Sequence, residues 1–141
     1  MKLDVIPAVP SSAIKTAAAP ILFVHGAWHQ AGCWQEFADY CRQQGRACHA
    51  VSLRGHGNSE NDRSLKRTRV DGYVADVGRT VEAITGAFGQ KPVLVGHSMG
   101  GLVVQKYLEQ DAEIPHGVLM AATPPNGVWP IALRLTLKHP L

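Results

Sequence analysis

Pro92-Val93-Leu94-Val95-Gly96-His97-Ser98-Met99-Gly100-Gly101-Leu102-Val103-Val104 is the stretch whose reading decides the fold. Apolar residues run from Pro92 to Val95, and a second apolar run opens at Met99. Between them stands Ser98, with Gly96 two places before it and Gly100 two places after. The pattern predicts a buried strand, a turn too tight for side chains, and then a helix. A serine at such a bend is held in a strained backbone, and the glycines remove side chains that would collide there. Its hydroxyl is expected at the carboxyl end of a sheet, beside the first N–H groups of the helix.

Gly96-His97-Ser98-Met99-Gly100 has the form G-x-S-x-G, the nucleophile elbow. Glycine and serine are common, so context gives the pattern its weight. It lies downstream of Phe23-Val24-His25-Gly26-Ala27-Trp28 and Arg54-Gly55-His56-Gly57-Asn58-Ser59. In that order and spacing the motifs resemble the α/β-hydrolase family of esterases, lipases and related enzymes, over roughly residues 20 to 125. The resemblance implies an α/β fold, a mostly parallel sheet flanked by helices. It implies Ser98 as nucleophile, with the backbone N–H groups of Ala27 and Met99 as the oxyanion hole. Trp28 would line the acyl pocket with His29 beside it, and His25 would brace the loop at Gly26. The reaction implied is cleavage of an ester, thioester or similar acyl bond, without metal or organic cofactor. Serine at the elbow argues against the family's dehalogenases and epoxide hydrolases, which use aspartate there; the cofactor-free peroxidases share the serine.

A chain of 141 residues, 45% apolar and 18% charged, fits one globular domain with a real core. The net charge of +3 is mild. Much of it falls on one loop, where Arg54, Arg63, Lys66, Arg67 and Arg69 outnumber Glu60 and Asp62. Such a run reads as a solvated face, with attraction of an anionic substrate or a phosphate surface as the alternative. No nucleic-acid partner is expected. The cysteines Cys33, Cys41 and Cys48 are odd in number and lack metal-ligand spacing, which fits a reducing compartment. Cys33 and Cys41, eight apart on an expected helix, would lie about 12 Å apart along its axis, too far for a bridge. Neither a targeting segment nor a run long enough to cross a membrane is read, so the expected location is cytoplasmic.

Residues 1–19 are rich in Pro, Ala and Ser and read as an extended lead-in with a short strand at Leu3–Ile6. The core is expected over 20–127. Ile21–Val24 and Ala47–Leu53 read as strands, with Trp34, Phe37, Ala38 and Cys41 forming a helical stripe that Gly45 ends. Val70, Tyr73, Val74, Val77, Val81, Ile84 and Phe88 make the cleanest amphipathic helix. The elbow helix is expected to reach about Gln110, and Gly117–Ala122 to form a further strand. Residues 128–141 read as a loose tail or the opening of a cap. Their alternation at Ile131, Leu133, Leu135 and Leu137 favours a strand, and the resemblance favours a helix, which we take as the expectation. Alternating strands and helices imply right-handed crossovers and a site at the carboxyl ends of the strands.

A serine hydroxyl needs a general base, and the family supplies Ser, then Asp or Glu, then His, in chain order. Both partners normally follow strands beyond the one at Gly117–Ala122, so the fold is expected to be partial, ending before its final strands. Glu109, Asp111 and Glu113 fall about 18 Å from the elbow, at the wrong edge of the sheet. Of the histidines, His97 is expected to point away from Ser98 and His56 to hold its own turn. His116 lies at the wrong edge, His139 in the tail, and His29 alone has a pocket-facing chance. The triad acid and base therefore stay unassigned. Three readings follow: an impaired serine hydrolase, a non-catalytic remnant or binding module, and a fragment of a cofactor-free peroxidase. An open sheet edge would also invite self-association.

Overall fold

Among the described residues, short and mostly apolar runs between turn residues pair into one five-stranded sheet. The computed structural model describes residues 1–8, 18–61 and 64–138. The strands are β1 (Asp4–Ala8), β2 (Ile21–Val24), β3 (Cys48–Ser52), β4 (Val93–His97) and β5 (Gly117–Met120), in the order β1-β3-β2-β4-β5. Neighbours from β3 to β5 are parallel, and β1 closes one edge antiparallel to β3. The helices are α1 (Gln35–Gln43), α2 (Val70–Phe88), α3 (Met99–Leu108) and α4 (Trp129–Lys138).

Alternation along the strands makes two cores. Leu22 and Val24 of β2 face one way, joining Val77, Val81, Leu94, Val103 and Val104 under α2 and α3. Phe23 faces the other way, stacking on Trp34 at a ring separation of 4.8 Å within a cluster that includes Ala38, Cys48 and Val95. Val77 and Val81 are at most 2% exposed, and burying each such side chain contributes about 1.5 kcal/mol or more. The expected α2 stripe is therefore buried in this core, beside α3, which packs directly on β4 and β5.

Differences from expectation have local causes. The strand expected at Leu3–Ile6 runs one to two residues later and belongs to the sheet itself, because Leu3 and Val5 pack on one core and Ile6 on the other. Phe37, expected on the buried face of α1, is half exposed. Arg54 is not part of a solvated basic face: it is buried, with its guanidinium on the carboxylate of Asp76. The residues 129–138 form a helix, and its Leu133, Leu135 and Leu137 are all exposed. Arg63, Asp62 and His139 lie outside the described residues. Among the described residues no helix is long and apolar enough to cross a membrane.

Candidate active site

Strand β4 delivers the chain to Ser98, which takes φ 53° and ψ −119° as the residue capping α3. A side chain in this left-handed region stores roughly 1–3 kcal/mol of strain, so neighbours must hold it there. The Ser98 N–H donates to the Met120 carbonyl at 3.0 Å, and the Ser98 carbonyl accepts from Gly101 and Thr123, each at 3.0 Å. The bend is thus stitched to both α3 and the end of β5. Its glycines are required by contact. A Cβ on Gly96 would lie 2.5 Å from the Gly100 carbonyl oxygen, and one on Gly100 would collide with the carbonyls of Val24 and His25.

The same packing brings in the loop after β2. A Cβ on Gly26 would sit 3.1 Å from the Cβ of Ser98, so this loop lies directly on the elbow. His25 is fully buried behind it. Its Nε2 accepts the Leu53 N–H at 3.0 Å, which leaves the proton on Nδ1 to donate to the Gly26 carbonyl at 2.7 Å. Burial lowers the His25 pKa to about 4, so the imidazole is a neutral strut tying the β2 loop to the end of β3. Among the described residues, the Ala27 and Met99 N–H groups and the Ser98 hydroxyl have no hydrogen-bond partner. Trp28 is 97% exposed at φ 61°, and Ala121, after β5, has φ 44°. Every non-glycine residue with positive φ among those described therefore lies at the carboxyl edge of the sheet.

The family described as "Alpha/beta hydrolase family" matches residues 21–141. This chain belongs to it. Bovine protein phosphatase methylesterase 1 (Bos taurus) is 38% identical over 85 residues, covering 59% of this chain and 22% of its own length. Methylesterase 10 of Arabidopsis thaliana is 31% identical over 116 residues, covering 81% of this chain and 41% of its own. The monoacylglycerol lipase of Paleococcus ferrophilus superposes with a TM-score of 0.70 at 24% identity, over 99% of this chain and 52% of that one. The chain thus spans a fifth to two fifths of these curated relatives and about half of the solved lipase.

Within the family's fold the acids after Ser98 fall at the far edge. Asp111 takes Lys91 Nζ at 2.6 and 2.7 Å and the Tyr107 hydroxyl at 3.0 Å. The Lys91 ammonium holds the Asp111 carboxyl below the usual range, and that carboxylate in turn raises Lys91. Glu113 joins Lys91 at 2.9 Å, and Glu109 pairs with Lys106 at 3.0 Å. His116 is exposed at the same edge. At the Ser98 edge, His29 and His97 stand edge to face with ring centroids 6.5 Å apart. They line a depression of about 230 Å³ with Cys33, Trp34, Phe37 and Met120. Neither imidazole is hydrogen-bonded to the Ser98 hydroxyl. Among the described residues no cluster of His, Cys, Asp and Glu could hold a metal.

Sequence reasoning missed the groups that fix the neighbouring loops. Asp76, fully buried, accepts from the Arg54 backbone at 3.0 Å and from its Nε and Nη2 at 2.9 and 2.8 Å. Removing one partner would leave the other charge buried, at about 3–5 kcal/mol. The signal was available: Asp76 lies three or four residues from Tyr73 and Thr80, on the buried side of α2. A second lattice joins Asp4, Ser52 and Ser59. The Ser52 hydroxyl donates to Asp4 Oδ2 at 3.0 Å and accepts the Ala31 N–H at 3.0 Å, while Ser59 Oγ donates to the Ser52 carbonyl at 2.6 Å. It ties the loops after β2 and β3 to the N-terminal strand. Its partners are far apart in sequence, and no spacing announces them.

Proposed function

We propose that this chain carries the nucleophile of a serine hydrolase acting on a small-molecule ester, thioester or similar acyl bond. Ser98 Oγ attacks the carbonyl carbon and the carbonyl oxygen becomes an oxyanion, received by the N–H groups of Ala27 and Met99. The leaving group departs as its alcohol or thiol, and water then releases the acyl group from Ser98 as a carboxylic acid. The observation that supports this best is the strained Ser98, with an unpartnered hydroxyl, packed against the Gly26 loop. Trp28 and His29, at the rim, are the first side chains that a substrate would meet.

Turnover also requires a base for the Ser98 proton and an acid to orient it. Without them, serine hydrolases lose on the order of a million-fold in rate, keeping roughly a thousand-fold over water. Val118 and Leu119 of β5, nearly half exposed, border an open strand edge beside Ser98, where further residues or a second copy would bring both groups. Hydrolysis of p-nitrophenyl acetate by the chain and by Ser98→Ala tests the reading. A slow, Ser98-dependent release of p-nitrophenol is expected, and equal rates would sink it.

A further inference from the structure

Helix α2 carries a stripe that the Ser98 chemistry leaves unused. Gly72, Ala75, Arg79, Ala83 and Ala87 recur at three- or four-residue steps along one helical face, about 22 Å long at 1.5 Å per residue. Two depressions lie along this face, of about 350 and 360 Å³, and Arg79 lines both.

Their chemistry differs end to end. The depression at the start of α2 is walled by Arg67, Arg69, Arg79 and Arg54, with Asp71 as the acid at its wall. Arg54 is already committed to Asp76, whereas Arg79 is half exposed and only 3.9 Å from the same carboxylate. The helix N-terminus adds positive potential from the same direction. Beyond Arg79 the second depression is apolar. Leu3, just before β1, and Val5 of β1 line it with Ile84 and Phe88, and the small side chains of Ala83 and Ala87 leave its width open. His49 lies among them, 7% exposed, and its Nε2 has no hydrogen-bond partner.

We propose that this flank binds a long-chain carboxylate, its head among Arg67, Arg69 and Arg79 and its alkyl tail in the groove between α2 and β1. Arginine forks match a carboxylate in two parallel hydrogen bonds. Each methylene buried in the groove strengthens binding roughly fourfold. Charge at one end and apolar walls at the other select an amphiphile over a small anion or a neutral hydrocarbon. The site shares no residue with the Ser98 loop or the elbow, so it is independent of the hydrolase reading.

Calorimetric titration with octanoate, 1-octanol, acetate and octyl phosphate is the test. Octanoate binds saturably at one site, and acetate binds at least about a hundredfold more weakly. Arg79→Ala weakens octanoate by about tenfold and leaves 1-octanol unchanged. Ala83→Trp, at an exposed helical position, fills the groove and removes both while the thermal melt stays in place. Octanoate no tighter than acetate, or unaffected by both substitutions, overturns the proposal. Octyl phosphate binding tighter than octanoate overturns the carboxylate assignment.

Discussion

The two edges of the sheet are built from the same strands and differ in backbone strain and in a hydroxyl left without a partner. At the amino edge, before β4 and β5, Lys91, Asp111, Tyr107 and Glu113 satisfy one another within 3.0 Å. At the carboxyl edge, Trp28, Ser98 and Ala121 hold backbone angles that side chains avoid, and the Ser98 hydroxyl has no partner. One edge is relaxed and self-satisfied; the other is held open under strain by packed glycines and a neutral buried histidine. Strain of this kind tends to collect where a reacting group is presented, so the contrast supports the proposed role of Ser98 on grounds separate from the motif.

The largest effect that would break this contrast comes from its glycines. Gly100→Val drives side-chain atoms into the Val24 and His25 carbonyls, and the variant should yield no cooperative urea transition. A variant as stable as the parent would mean that the elbow is not locked. Acid comes next. The His25 pKa is about 4 when folded and near 6.5 when unfolded, so the unfolded chain binds the extra proton between those values. Stability is full above pH 6.5 and falls as pH drops toward 4, by on the order of 3 kcal/mol. Burial lowers the His49 pKa too and adds in the same direction. Urea midpoints from pH 8 to 4 check this, and His25→Asn should flatten part of the slope. A flat parent profile would remove the neutral strut from the account.

The smallest effects sharpen the comparison through their signs. Ser98→Gly frees the strained residue and should raise stability by about 1 kcal/mol. Lys91→Ala at the relaxed edge should lower the urea midpoint slightly. If both substitutions destabilise alike, the edges do not differ in the way described.

Much of this was legible because local pattern and packing agree. The strand–bend–helix at Pro92–Val104 and the α2 stripe follow from periodicity, since each buried face meets a core that its own spacing predicts. The tail helix was harder, because alternate leucines spread over several faces of a helix, and Leu133, Leu135 and Leu137 are indeed exposed. Arg54 was misread because charge in a loop looks solvated until its partner is known, and Asp76 lies 22 residues away. At the site, the approach of Gly26 to Ser98 joins segments 72 residues apart, and only the motifs hinted at it.

The central claim is that Ser98 is a presented, reactive alcohol. Incubation with a fluorophosphonate followed by peptide mass spectrometry tests it most directly. The account predicts slow formation of a single adduct on Ser98, absent from Ser98→Ala. No adduct, or one on another residue that persists in Ser98→Ala, would contradict it.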